Sequence, residues 1–321
     1  MERNIVTIGG GTGTFVVLSG LRRRSDVCLT AIVSSADDGG STGRLRDAYG
    51  ILPPGDARQA LVALAEEDTM LRELFAYRFS KGDIAGHNFG NLFITALSQL
   101  LGSDSAALEE ASRILRIKGH VLSVSEYPSR LLATLEDGSI IEGEHSIEER
   151  ALGSSRIRKL ALTEKKIISD AARDAIKGAD MIVLGPGDLY TSTIAALLPD
   201  GMQEAIATSA GKVVYVLNLF TKVGQTEGYS AQQHVTEVER YTGRGIDAIL
   251  VSTNSFPADT ISLYAREGEL SIVDDLNNDP RVQRLSLASM TAVPPVPEDP
   301  VQRSLVRHDP TKLADALISL L

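Results

Sequence analysis

Two glycine runs, each placed directly after an apolar stretch, carry the sharpest chemistry in this sequence. Gly9-Gly10-Gly11-Thr12-Gly13 follows Asn4–Ile8, and Gly185-Pro186-Gly187-Asp188-Leu189-Tyr190-Thr191-Ser192-Thr193 follows Met181–Leu184. Glycine lets a backbone turn tightly and approach a guest, and the first free N–H groups of a helix opening there face an anion. In the second run Tyr190, Thr191 and Ser192 add hydroxyls to the backbone donors. The first run is not a Walker loop, because no Gly-Lys-Ser/Thr follows it. It also misses the dinucleotide fingerprint, since Val16 stands where the third glycine counted from Gly11 belongs.

Acids and amides at matching positions widen that chemistry. A second apolar run ends in Asp37-Asp38-Gly39-Gly40-Ser41-Thr42-Gly43-Arg44-Leu45-Arg46. An acid at such a strand end takes ribose hydroxyls in doubly wound folds. The paired carboxylates also suit a divalent ion, a substrate proton, or their own arginines on the surface. Ser41, Thr42 and the glycines offer donors to a phosphate, and Arg44 offers countercharge. Asp56 reads as a helix N-cap, with Arg58 one turn on as its partner or as a pocket residue. Asn88 and Asn91, three apart at a helix start, fit ligand amide contacts and capping equally well. His87 beside them reads as a satisfied loop histidine. Asn218 closes a later strand, with Thr221 just beyond.

Several reaction classes are excluded. The net charge of −10 argues against sequence-independent nucleic-acid binding, which needs a basic face. Cys28 is the only cysteine, so no intrachain disulfide forms, and the five histidines make neither an HxH nor an HExxH pair, so no zinc site is expected. There is no GxSxG elbow. No apolar run approaches the roughly 20 residues a bilayer span needs. The opening residues lack the regions of a secretory signal, and the expected location is the cytoplasm.

Positioning these residues falls to an α/β fold, with a Rossmann-like, mainly parallel sheet flanked by helices in a single domain spanning 1–321. Strands are expected at Asn4–Ile8, Leu29–Ser34, Met181–Leu184, Lys212–Leu219 and Ala248–Val251. Helices are expected at about 14–23, 57–66, 92–101, 106–114, 164–177 and 231–242. Residues 119–163 read as a small antiparallel insertion, built on a hairpin around Asp137-Gly138 whose two turn positions both need φ > 0. The stretch 274–300 is loop-rich, with Pro294, Pro295, Pro297 and Pro300. A final helix opens with Asp309 as cap and Pro310 in first position.

Taken together, GGGTGTFVVLSGL, SSADDGGSTGRLR, GILPPGDARQAL, GHNFGNLFITAL, LGPGDLYTSTIAALLPDG, NLFTKVGQTEGY and RHDPTKLADAL, with the ATLEDGSIIEGE hairpin, cover nearly the whole chain in order. The chain resembles the YvcK-like gluconeogenesis factors, in the superfamily that includes 2-phospho-L-lactate transferase. The resemblance implies a regulatory protein that binds a UDP-sugar such as UDP-N-acetylglucosamine, linked to gluconeogenic growth, central carbon metabolism and cell shape or wall synthesis. The alternative it implies is a transferase that joins a phospholactyl group to a deazaflavin, using Mg2+, with Asp37 or Asp38 as metal holder or base. The binding reading needs no cofactor, and the metal ligands are unknown. The ligand would be lined by Gly10, Gly11, Thr12, Gly13, Asp37, Asp38, Ser41, Thr42, Arg44, Asn88, Asn91, Gly187, Tyr190, Thr191, Ser192, Asn218 and Thr221, with Tyr264 and Arg307 at the nucleotide end. Nucleic acid and stable membrane insertion are not expected as partners, and homo-oligomerisation is left open. Two departures stand out. The transferase branch has a tryptophan after its paired aspartates, and this chain has none. Gln225 stands where relatives often carry Glu.

Overall fold

The computed structural model describes residues 2–66, 70–289 and 305–321. Among the described residues ten strands form, β1 (Arg3–Ile8), β2 (Val27–Val33), β3 (His120–Ser123), β4 (Leu131–Leu135), β5 (Ile140–Glu142), β6 (Ile157–Leu162), β7 (Met181–Leu184), β8 (Lys212–Val216), β9 (Ala248–Ser252) and β10 (Val282–Leu285). Seven of them make one sheet in the order β10-β9-β8-β7-β1-β2-β3, with parallel pairing at every step. The other three form an antiparallel sheet in the order β5-β4-β6.

Both faces of the large sheet are covered, which is what a parallel sheet requires and why its strands read as apolar runs. Along β1 the side chains alternate, Val6 and Ile8 entering one core and Ile5 the other. All four residues of β7 are buried. Helix Gly11–Leu21 packs against helices Pro54–Leu64 and Pro310–Ile318. A Cβ at Gly20 would stand 3.1 Å from the Ala314 Cβ and 2.8 Å from the Pro310 carbonyl carbon, so the glycine allows that close crossing.

The strand order places the site. The chain lays β2 and β3 on one side of β1, then crosses to lay β7 to β10 on the other. The reversal lies between β1 and β7, whose register pairs Ile8 with Leu184. Open α/β sheets bind ligands in the crevice outside the carboxyl ends of the strands at such a point. Each of these two strands ends in one of the glycine runs.

Local signals explain several boundaries. Asp309 caps the last helix by accepting from Thr311 N and Lys312 N. Ser230 and Gln233 form a capping box for helix Ala231–Thr242. The small sheet differs from expectation at two places. His120–Ser123 pairs in parallel with β2 and so belongs to the main sheet. The hairpin turn has only one residue at positive φ, Gly138 at +86°, because Gly138 N bonds Leu135 O and makes a tight turn ending in one left-handed residue. The segment after Asp38 is helix Gly40–Tyr49, closed by Gly50 at φ +66°, a helix not among those expected from the sequence. The proline cluster 294–300 lies outside the described residues. Among the described residues no helix is long and apolar enough to cross a membrane.

Candidate functional site

The two glycine turns touch. A Cβ at Gly13 would stand 2.5 Å from the Pro186 carbonyl carbon and 3.1 Å from Gly187 N, so only glycine allows this backbone approach. Ser192 faces Gly11 across the crevice, its Oγ 3.8 Å from where a Gly11 Cβ would be. Asn218, just past β8, braces the second turn, with Nδ2 donating to Gly187 O at 2.7 Å and Oδ1 accepting from Gly187 N at 3.3 Å. Gly11 N is also engaged, donating to Asp56 Oδ1 at 2.8 Å. Asp56 is therefore not the N-cap of helix Pro54–Leu64. It sits in the first turn of that helix and reaches across to the glycine run, leaving Thr12 and Gly13 to present the open N–H groups of helix Gly11–Leu21.

Carboxylates ring the crevice, and glycines make room for them. A Cβ at Gly10 would meet Asp56 Cγ at 2.5 Å, one at Gly55 would meet Asp37 Oδ2 at 2.6 Å, and one at Gly143 would meet Asp38 Oδ2 at 2.7 Å. Two further acids come from the insertion. Its short helix, Glu144–Glu148, carries Glu144 and Glu148 four residues apart, hence on one face. Glu144 is hydrogen-bonded to Asp37, which requires a proton on one of the two. Burial first, and then the charge of Asp37, push Glu144 well above the ordinary glutamate range. Burial and Asp37 likewise push Asp56 up to about 7. Burial and Asp188 push Glu148 up to about 7. The environment thus holds several carboxyls partly protonated near neutrality.

Asp37 and Asp38 part company here. Asp37 accepts from Gly39 N at 2.9 Å and turns toward Glu144 and Thr42. Asp38 points to the insertion, accepting from His145 N at 2.9 Å with Arg130 at 3.7 Å.

A relay joins the insertion to the second glycine turn. Gln225 Nε2 donates to Thr191 Oγ1 at 3.2 Å, and Thr191 Oγ1 donates to Glu148 Oε1 at 3.0 Å. Thr191 N points back to Gln225 Oε1 at 3.4 Å. An amide serves both sides of Thr191 at every pH, which fits glutamine at this buried position. Gln225→Glu is therefore expected to cost about 1–3 kcal/mol, read as a lower denaturation midpoint at pH 8. At pH 5 a protonated carboxyl donates again and most of the loss returns. Lys222 supplies the positive charge on this side. Burial pulls its ammonium down, but Asp188 and Glu269, the latter at 2.9 Å, outweigh that and hold it above the usual lysine range.

On the other side of the first glycine turn lies a cavity of about 300 Å3, lined among others by Thr12, Phe15, Arg58, Arg72, Glu73 and Arg307. Three guanidinium groups and the start of helix Gly11–Leu21 make its character anionophilic.

Comparison with known proteins agrees with this fold. The family model "2-phospho-L-lactate transferase CofD" matches residues 5–292. The chain belongs to the CofD family. Several of its relatives are named as gluconeogenesis factors. A Thermotoga maritima relative is 40% identical over 98% of this chain and 98% of its own. The Bacillus subtilis protein named "Gluconeogenesis factor" is 36% identical over 99% of this chain and 98% of its own. The crystal structure of a UPF0052 family member from Bacillus halodurans superposes with a TM-score of 0.89 at 35% identity, covering 99% of both chains.

The CofD-family chain gathers most, but not all, of the residues singled out in its sequence. Gly10 to Gly13, Asp37, Gly187, Thr191 and Ser192 meet at the crevice. Ser41, Thr42 and Asn91 form one wall, where Asn91 Nδ2 lies 3.4 Å from both hydroxyls and Asn91 Oδ1 accepts from Arg58 Nε at 2.9 Å. Arg307 lies on the arginine-lined cavity with Thr12. Four residues do structural work instead. Asn88 caps helix Phe89–Leu101, its Oδ1 accepting from Gly90 N and Asn91 N and its Nδ2 donating to Ala76 O. Tyr190 is fully buried in the core, its hydroxyl against Tyr229 and Ile157 O, so it does not line the crevice. Thr221 is buried and tied through N and Oγ1 to Leu270. Tyr264 is buried, stacks on Phe220 at 4.0 Å between centroids, and accepts from Val306 N, so that face of its ring is already taken.

Sequence reading passed over Glu144 and Glu148 as site residues and gave Asp188 no role of its own. The signal for the first two was their i, i+4 spacing just after the hairpin. For a divalent ion in the CofD-family site, the protein alone is not a cage: among the described residues no three His, Cys, Asp or Glu side chains converge on a metal position.

Proposed function

We propose that the crevice between β1 and β7 binds a nucleotide sugar of the UDP-N-acetylglucosamine type. On this reading the chain is a binding and regulatory protein of gluconeogenic growth and cell-wall supply. The observation that carries it is the contact of the two glycine turns at the point where the strand order reverses. There, backbone N–H groups and the arginines beside Thr12 suit a diphosphate. The carboxylates opposite accept from sugar and ribose hydroxyls. The gluconeogenesis-factor names of its relatives support the physiological side.

A second reading, transfer of a phospho-group to a deazaflavin, is favoured by one observation. Asp56 and Glu148, with pKa values about 7, are poised to exchange protons near neutrality. Against it stands the absence of any tryptophan as a flavin platform.

Calorimetric titration with UDP-, GDP- and ADP-sugars, run beside an assay with deazaflavin, its activated donor and Mg2+, separates the two. Saturable heat with the UDP-sugar and no deazaflavin product is the expected outcome. Product formation without UDP-sugar binding would overturn the first reading.

A further inference from the structure

A second cluster lies on the wall of the crevice formed by helix Gly40–Tyr49, away from the glycine turns. Its centre is His87. Arg58 Nε donates to Asn91 Oδ1, which turns the Asn91 amide so that Nδ2 faces the Ser41 hydroxyl. Ser41 Oγ thus accepts from Asn91 and lies 3.0 Å from His87 Nδ1, a contact in which either atom can be the donor. In the neutral tautomer whose Nδ1 accepts from Ser41, the ring hydrogen is on Nε2, which meets no acceptor among the described residues.

Two arginines flank that ring. Arg78 Nη1 donates to Gly86 O at 2.8 Å, fixing the turn that holds His87. Arg44 is exposed and makes no hydrogen bond or ion pair among the described residues. Its Nη2 lies 3.2 Å from where a Cβ at Gly86 would sit, in space left by that glycine at φ +79°. The turn is rigidly built, with Phe79 N bonded to His87 O and Gly86 N to Phe79 O. Burial first, and then the positive charges of Arg44 and Arg78, hold the His87 ring below the usual histidine range. The cluster is a set of donors and positive charge with no carboxylate acting on its centre.

We propose that His87 Nε2, Arg44 and Arg78 form a phosphate-binding subsite on this wall. It takes the phosphate as a planar guanidinium fork plus one imidazole N–H, a donor set that fits a tetrahedral dianion. The subsite does not rest on the nucleotide-sugar reading, since its donors are separate from the glycine turns and from the cavity beside Thr12.

The five histidines make the test direct. Imidazole carbon–proton NMR spectra of the full chain at pH 7.5 are followed during titration with inorganic phosphate and, separately, pyrophosphate, with chloride of equal ionic strength as control. The His87 resonance is expected to shift saturably with phosphate and not with chloride. The Arg44→Ala variant, which removes an exposed side chain and leaves the fold intact, should weaken the apparent affinity at least fivefold. Arg113→Ala, which alters an exposed arginine paired with Glu110, should leave it unchanged. A His87 signal that stays still, or that shifts equally in Arg44→Ala, would overturn the proposal.

Discussion

Replacing Gly13 by valine should destabilise the protein by about 3 kcal/mol and abolish ligand heat in the same sample. The new side chain enters where the carbonyl of Pro186 already sits, and its Cβ alone would lie 2.5 Å from the Pro186 carbonyl carbon. Both sides of the clash are backbone, so no rotamer change relieves it. The two turns must separate, and with them the carboxyl ends of β1 and β7. Gly11→Ala is the control that separates strain from obstruction. Gly11 has φ +66°, so alanine there costs about 1–2 kcal/mol of backbone strain. Its Cβ would meet only Ser192 Oγ at 3.8 Å, so the turns stay together and binding persists. Denaturant midpoints and calorimetric titrations of both variants check this. Equal loss of binding in the two would show that the close approach at Gly13 is not what matters.

The second large effect distinguishes the paired aspartates. Asp37→Asn is expected to lower ligand affinity at least about tenfold, equivalent to about 1.4 kcal/mol, with no loss of stability in the free protein. The asparagine oxygen still accepts from Gly39 N and from the Glu144 carboxyl, and the charge facing Asp56 is gone, while the ligand loses a carboxylate partner. Asp38→Ala behaves oppositely. It removes the acceptor for His145 N and the neighbour of Arg130, loosens the insertion helix, and costs about 2 kcal/mol of stability. Thermal unfolding and titration of the two variants give the comparison. If Asp38→Ala lost binding at full stability while Asp37→Asn kept it, the assignment of the inward-facing acid would be reversed.

How much of this was legible beforehand follows from which forces are local. Gly9–Gly13 after Asn4–Ile8, and Gly185–Gly187 after Met181–Leu184, announce turns at strand ends because glycine conformation and apolar runs are properties of a few neighbouring residues. The capped terminal helix is legible for the same reason. Asp56 misled because an acid early in a helix satisfies the capping pattern, while its actual partner, Gly11 N, lies 45 residues earlier in the chain. Glu144 and Glu148 sit in an insertion whose packing onto Asp37 and Thr191 no local pattern encodes. Tyr264 had the right chemistry for a base platform, but Phe220 claimed its ring through tertiary packing. Gln225 looked like a lost charge until Thr191 supplied an atom that needs both an amide donor and an amide acceptor nearby.

The most direct test of the central claim is hydrogen–deuterium exchange, with and without saturating UDP-N-acetylglucosamine, followed at Gly9–Gly13 and Gly185–Ser192. One guest held between the two turns protects both segments together, over the same ligand concentration range. Protection of one segment alone, or of neither while the ligand binds elsewhere, would contradict a shared crevice.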